Sequence, residues 1–269
     1  MNDAVRRTRL PDGLTVVTLE RPSVRNAVDT RTASALHAAF LDFEDDADSP
    51  VAVFHGAHGH FCAGWDLQAG ARALQAGPAA AAQAFADALD FQPGQERPAA
   101  PMGPTRLLLS KPVIAAVSGA AVAGGMELAL WCDLRVMEAD AYFGVYCRRF
   151  GVPLIDGGTV RLPRLIGMGH AMDLILTGRR VDADEALRIG LCNRVVPAGA
   201  GLEAALLLAR QLAAFPQSTL RADRMSAYRQ WDLPMVQALY QEWEGGRTCI
   251  AEGLQGAQRF SGGQGRHGD

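Results

Sequence analysis

Apolar and polar positions divide the chain into short elements. Leu14 to Glu20 alternates after an Asp12-Gly13 turn, which predicts a strand. Thr30 to Phe43 places Ala33, Leu36, Ala39, Phe40 and Phe43 at helical spacing. Apolar runs at Val51 to Phe54, Val113 to Val117 and Leu134 to Met137 read as buried strands. Between the last two, Met126 to Trp131 is apolar almost all round and predicts a buried helix. Strands alternating with helices predict a parallel sheet covered on both faces. Ala79 to Asp90 is Ala-rich and helical by propensity. Gln92 to Pro104 carries Pro93, Pro98, Pro101 and Pro104 and cannot be regular. Strands of the same character resume at Val113, so this segment reads as a lip over a pocket, not a domain linker. Beyond Gly169 the pattern is mostly helical. Asp182 with Glu185 marks a helix start, and helices are expected over Leu202 to Phe215, Ser218 to Tyr228 and Leu233 to Ala251. The Gly-rich tail, Ser261 to Asp269, is expected to fray.

The bulk numbers narrow the class. With 269 residues, 49% hydrophobic and 20% charged, the chain can build a sizeable core. A net charge of −3 gives no footprint for nucleic acid or an anionic membrane. Met1 to Leu10 is Arg-rich without an apolar core, unlike a secretory signal. No apolar run reaches the roughly 20 residues that span a bilayer. The five cysteines are widely spaced with no Cys-x-x-Cys pair, which disfavours disulfides and structural zinc and fits a reducing cytoplasm. His55, His58 and His60 lie in a Gly-broken loop without a carboxylate or thiol at ligand spacing, so no metal is expected there.

Two stretches carry candidate chemistry. Gly124-Gly125 precedes the buried helix, and a Gly-Gly helix start leaves backbone N–H groups unobstructed and favours negative charge. Glu127 follows within one turn, in an otherwise apolar segment, where a carboxylate is costly unless paired, protonated or used. The alternative is a Gly-mediated packing contact with a hydrogen-bonded core Glu. Phe61-Cys62-Ala63-Gly64-Trp65-Asp66-Leu67 is a second small-residue turn after a strand. Two converging N–H donors would make an oxyanion hole, usually the largest single term in acyl-group chemistry. Gly167-Met168-Gly169-His170-Ala171-Met172 fails as a dinucleotide fingerprint, because its last position is Met and no strand precedes it. No Gly-x-Ser-x-Gly elbow occurs, so a serine hydrolase has no support.

Taken in order, these stretches resemble the crotonase superfamily, the enoyl-CoA hydratase/isomerase family. The marks are Arg25-Asn26-Ala27, Phe61 to Leu67, Lys111-Pro112 through Gly124-Gly125-Met126-Glu127-Leu128, and Cys132-Asp133. They continue through Phe143-Gly144, Gly157-Gly158, Arg161-Leu162-Pro163, Leu176-Thr177-Gly178 and Gly190-Leu191. The resemblance implies an α/β fold: a crotonase-like ββα superhelix spiral core over 1–195, then a C-terminal helical region over 196–269. In the family, that region covers the acyl site and builds a trimer, often paired into a hexamer. The implied substrate is an acyl-CoA thioester, with CoA part of the substrate and no other cofactor.

Carried over residue by residue, the resemblance makes the N–H groups of Ala63 and Gly124 the oxyanion donors. It places the CoA end near Arg25, Ala27, Ala63, Trp65, Asp66 and Leu67. Trp65 packs on adenine or pantetheine, or else anchors a surface loop. The family's hydratases use two glutamates. The first matches Glu127; the second matches a position held here by Cys147. A thiol does not replace a carboxylate without a matched pKa, and Cys147 also reads as a buried filler. Asp156 is then the candidate second carboxylate, or the cap of a helix beginning at Gly157-Gly158. Arg148 and Arg149 reach an acyl carboxylate or a CoA phosphate, or form an exposed charged pair. Three functions follow: an enoyl-CoA hydratase using Glu127 and Asp156, another one-base crotonase reaction such as double-bond isomerisation, or an acyl-CoA-binding protein with little turnover.

Overall fold

The computed structural model of the chain describes residues 4–263. They divide into two compact units, one running through Arg210 and the other beginning at Gln211. The first unit reaches past the expected division at 195/196 because Ala205, Leu206, Leu208 and Ala209 are buried in it. The tail expected to fray lies outside the described residues beyond Gly263.

The first unit is built on a six-stranded sheet. Its strands are β1 (Val5–Arg9), β2 (Thr15–Leu19), β3 (Ala52–Gly56), β4 (Val113–Val117), β6 (Leu134–Glu138) and β9 (Arg194–Val196), in the order β1-β2-β3-β4-β6-β9. Strand β1 runs antiparallel to β2 and every other pairing is parallel. β2 and β4 are buried at every position, as parallel strands covered on both faces should be. A second sheet, of β5 (Ala120–Val122), β7 (Tyr142–Gly144) and β8 (Arg180–Asp182), pairs β5 parallel to β7 and β7 antiparallel to β8.

Helix α1 (Thr30–Asp45) starts where Asp29 accepts the Thr32 N–H at 2.8 Å. At its other end Lys111, the only lysine, donates to the carbonyl of Asp46 at 2.9 Å and also to that of Phe43. A cation over the terminal carbonyls of a helix complements their partial charge. Edge-on contacts of Phe40 with Phe54 (5.4 Å) and with Trp131 (4.7 Å) join α1, β3 and the helix α4 (Gly124–Trp131). Helices α2 (Leu67–Ala76) and α3 (Pro78–Leu89) precede the irregular lip. α5 (Gly158–Thr177), kinked at Gly167, and α6 (Ala183–Arg188) complete the layer. Asp182 caps α6 through the Glu185 N–H, as its sequence predicts.

α7 (Gly201–Ala213) leads to the second unit, formed by α8 (Gln217–Arg229), α9 (Met235–Arg247) and α10 (Ile250–Ser261). Glu252 of α10 accepts the Thr219 hydroxyl of α8 at 3.2 Å. The single helix expected over Leu233 to Ala251 is therefore two. Gly245 and Gly246 weaken the last turn of α9, and the Thr248 hydroxyl and N–H both turn back to the Gly245 carbonyl. No described helix is long and apolar enough to cross a membrane.

Candidate active site

Two backbone turns are locked together beside the main sheet. Cys62 donates its N–H to Ala120 and accepts from Val122 through its carbonyl, so its turn runs as an extra strand along β5. The close approach explains the glycines. A Cβ on Gly125 would stand 2.0 Å from the Cys62 carbonyl oxygen, and one on Gly124 would strike the Met102 side chain. Gly64 has φ +94°, open to glycine, and a Cβ there would lie 3.1 Å from the Gly124 nitrogen. The Gly64 turn and the start of α4 thus converge. Ala123, just before α4, is itself held at φ +52° and donates its N–H to Gly144 at 2.8 Å.

The amide expected from Ala63 is already committed. Its N–H donates to the Arg25 carbonyl at 3.0 Å, so Ala63 lines the cavity without offering a donor to it. The register of the turn singles out a different residue. Val28 donates to Gly64 and Asp66 donates to Val28, a parallel bridge that directs the Trp65 N–H away from Val28. Trp65 lines the same cavity as Gly124. Choosing between positions 63 and 65 requires knowing what Arg25 and Val28 pair with, which the motif does not display.

Glu127 lies on the first turn of α4, 3% exposed, with its carboxyl group facing the start of α5. Its Oε1 accepts the N–H of Asp156 at 3.0 Å and of Gly158 at 2.8 Å. Burial pushes the carboxyl up to about 8, and the Asp156 carboxylate beside it acts in the same direction. Gly158 is required here, because a Cβ would meet Oε1 at 2.8 Å.

Asp156 is buried and does not cap α5, whose cap position is Gly157 with no side-chain bond. Its Oδ1 accepts the Met102 N–H at 3.0 Å and the Thr105 hydroxyl. Burial raises its carboxyl above the ordinary range in spite of these bonds. Cys147 sits buried on a short 3-10 turn, its thiol raised by burial and by Glu127 nearby, so it stays a neutral thiol. Cys62, pushed up to about 12 by burial, is equally inert.

These groups meet at a cavity of about 80 Å³. Trp65, Gly124, Glu127, Cys147 and Asp156 line it, and its remaining wall includes Met102, Tyr146 and Phe150. Of the residues expected at the CoA end, Ala63, Trp65 and Leu67 line the cavity. Arg25, Ala27 and Asp66 do not. The Arg25 side chain is exposed while its carbonyl holds Ala63. Ala27 is buried and gives its carbonyl to Arg21. Asp66 is a buried structural acid: it pairs with Arg21 at 3.1 Å and caps α2 through the Ala69 N–H at 3.0 Å. Arg148 donates to the Ile175 carbonyl at 3.2 Å, and Arg149 lies 3.8 Å over the Tyr146 ring. Of the three histidines expected in a loop, His55 lies on β3 and meets Thr18, while His58 and His60 follow it and meet Glu20 and the Ala120 N–H separately. The sequence pattern gave no signal for Met102 or Thr105, and no role for Arg161 beyond its motif, because these roles depend on where Asp156 points.

Comparison with known proteins gives one answer. The sequence model of the enoyl-CoA hydratase/isomerase family matches residues 9–96 and 101–260. The chain is 41% identical over 214 residues to a carnitinyl-CoA dehydratase of Salmonella arizonae, covering 79% of this chain and 75% of that one. A second relative, the carnitinyl-CoA dehydratase of Salmonella typhi, is 41% identical over 198 residues, 73% and 69% of the two chains. The fold is similar to that of an enoyl-CoA hydratase from Mycobacterium marinum (TM-score 0.82, 30% identity, 96% and 95% covered). It is equally similar to one from Bacillus anthracis (TM-score 0.82, 27% identity, 96% of each). Match, fold and paired turns agree: the chain has the crotonase fold and belongs to the enoyl-CoA hydratase/isomerase family.

Proposed function

We propose that the chain adds water reversibly to a 2-enoyl-CoA thioester, giving a 3-hydroxyacyl-CoA, with Glu127 as the one proton-carrying acid. The observation behind this reading is a buried carboxyl raised to about 8, lining a cavity beside the start of α4. The thioester oxygen sits between the N–H groups of Trp65 and Gly124, where charge developing on it is stabilised. Carboxylate Glu127 takes a proton from water as the oxygen of that water attacks Cβ, and electrons move onto the thioester oxygen. The same Glu127, now protonated, delivers that proton to Cα as the enolate collapses. Water is added in full and the enzyme returns to its starting state. In reverse, carboxylate Glu127 takes the Cα proton and hydroxide leaves Cβ with it as water. Trp65 and Leu67 receive the pantetheine arm, and no cofactor beyond the CoA of the substrate takes part.

The neutral thiol of Cys147 favours one other reading. A single acid suffices to carry a proton between carbons, so a 3-enoyl-CoA would be isomerised to the 2-enoyl-CoA at the same site. Incubating purified protein with crotonyl-CoA and with 3-hexenoyl-CoA separates the two: hydration adds the mass of one water, isomerisation leaves the mass unchanged. Binding of both thioesters with neither reaction would leave an acyl-CoA-binding protein and overturn the proposal.

The second unit bears on assembly. Met235, Val236, Leu239, Tyr240 and Trp243 on α9 are more than half exposed. An apolar helix face of this kind is suited to subunit contacts, and the reading includes a homotrimer or hexamer. Analytical ultracentrifugation tests it, and a monomer at micromolar concentration would overturn it.

A further inference from the structure

The cavity wall opposite α4 is supplied by the lip, and one side chain holds that wall in place. Asp156 Oδ1 accepts both the Met102 N–H and the Thr105 hydroxyl. Arg161 adds a second strap from α5, donating to the Asp156 carbonyl at 2.9 Å and to the Thr105 carbonyl at 2.7 Å. Met102 is 1% exposed, and its thioether packs directly on Gly124: a Cβ on that glycine would stand 2.7 Å from the sulfur. Preceding lip residues 91–97 are exposed, so the bonds to Asp156 and Arg161 occur where the lip first becomes buried. On its main-chain side Asp156 also donates to Glu127 Oε1. One residue therefore touches both the acid and the wall that faces it.

We infer that Asp156 is a positioning residue, which pins Met102 against Gly124 and thereby restricts the site to short, uncharged acyl groups. The inference rests on the reading of this cavity as an enoyl-CoA site. Three observations carry it. The Asp156 carboxyl accepts from Met102 in the lip and from Thr105 just past it, both on one oxygen. The cavity is small, about 80 Å³, and Met102 forms part of its wall. Its lining includes Glu127 and Asp156 and, among the described residues, no lysine, arginine or histidine, so a carboxylated acyl chain would find no cationic partner in the wall. Met102 is unbranched and adaptable, so its side chain fills this space only while its main chain is anchored to Asp156.

The test compares hydration of crotonyl-CoA, 2-octenoyl-CoA and 2-dodecenoyl-CoA by the wild type and by Asp156→Asn, Asp156→Ala, Thr105→Val and Met102→Ala. Wild type should prefer crotonyl-CoA. Asp156→Asn keeps an acceptor oxygen for both lip bonds and should hold kcat on crotonyl-CoA within about threefold, far from the 10²–10⁴-fold loss of a removed acid. Thr105→Val and Met102→Ala, which leave both carboxyls intact, should each move the octenoyl-to-crotonyl ratio of kcat/KM upward by about tenfold. Asp156→Ala should do the same, chiefly through KM. The Asn variant should also move the acid limb of the pH–rate profile to lower pH, because Asp156 charge raises Glu127.

Loss of kcat in Asp156→Asn on every chain length would make Asp156 an acid of the reaction and overturn the inference. So would an unchanged chain-length ratio in Met102→Ala. If no enoyl thioester reacts at all, the proposed function falls separately. Calorimetric binding of butyryl-CoA and octanoyl-CoA to the same variants then decides the latch by the same ratio.

Discussion

The two ends of α4 hold buried charges of opposite kinds. Just past its C-terminal end, Arg135 is fully buried and its guanidinium is met by carbonyls. Nε donates to Leu191 at 2.8 Å, and Nη1 to Cys132 at 2.8 Å and Ala129 at 3.4 Å. Two of these carbonyls belong to the end of the helix, where carbonyls lack intrahelical partners and carry partial negative charge. At its N-terminal end, Glu127 takes two amide bonds on one oxygen and has a second acid beside it. The first charge is compensated by the backbone and welds α4 to β6 and the loop before β9. The second is left undercompensated, so it holds its proton more tightly than an ordinary carboxyl and exchanges it near pH 8. Burial alone does not separate structural charge from chemical charge; the partners do.

The largest expected effect tests the chemical end. Glu127→Gln keeps the shape and an acceptor oxygen but cannot carry a proton, so kcat should fall about 10²–10⁴-fold with the circular dichroism spectrum unchanged. If a folded Gln variant keeps wild-type turnover, the contrast between the two ends is lost. Next comes the structural end. Arg135→Met removes the donor from three buried carbonyls and should cost on the order of 3 kcal/mol in urea unfolding, with kcat per folded molecule retained. A variant that is stable but inactive would reverse the assignment.

The pH dependence sharpens the comparison further. The reaction begins from carboxylate Glu127, so kcat/KM should climb about tenfold per pH unit and level off above about 8. Stability should move the opposite way. The folded carboxyl, at about 8, lies above its ordinary 4.5, so its contribution is complete below 4.5 and is lost as pH rises through 8. Wild type should therefore lose stability relative to Glu127→Gln across that window, by at most about 1.4 kcal/mol per pH unit. Urea titrations of both proteins from about pH 5 to about pH 9 check it, and parallel curves would remove the undercompensated acid. The smallest effect concerns Cys147. As a neutral wall residue, its replacement in Cys147→Ser should leave kcat within about threefold, and a larger loss in stopped-flow assays would give the thiol a part in proton transfer.

Much of the frame was legible before folding is considered. β2, α1, β3, β4, α4 and β6 announce themselves because each carries its own burial pattern within a few residues. β1 does not: Val5–Arg9 is dominated by Arg and Thr, and it becomes a strand only by pairing with β2 and setting Arg7 on Asp46 at 2.6 Å. β5, β7 and β8 are three residues each, too short for any period to register. At the site, Gly124 and Glu127 were readable because glycine and a charge stand out in an apolar run. Ala63 was misassigned as a donor because its motif does not show that the Arg25 carbonyl lies opposite it.

The order of residues determined the strand–helix alternation, the glycine turns, the lone acid in α4 and the absence of its expected second glutamate, since each depends only on residue type and near neighbours. Tertiary structure alone decided which amides face the cavity, that Asp66 serves Arg21 and α2, and that Asp156 grips the lip. Those outcomes depend on contacts between residues far apart in the chain, such as Asp156 with Met102, and no local pattern encodes the direction in which a distant group will arrive.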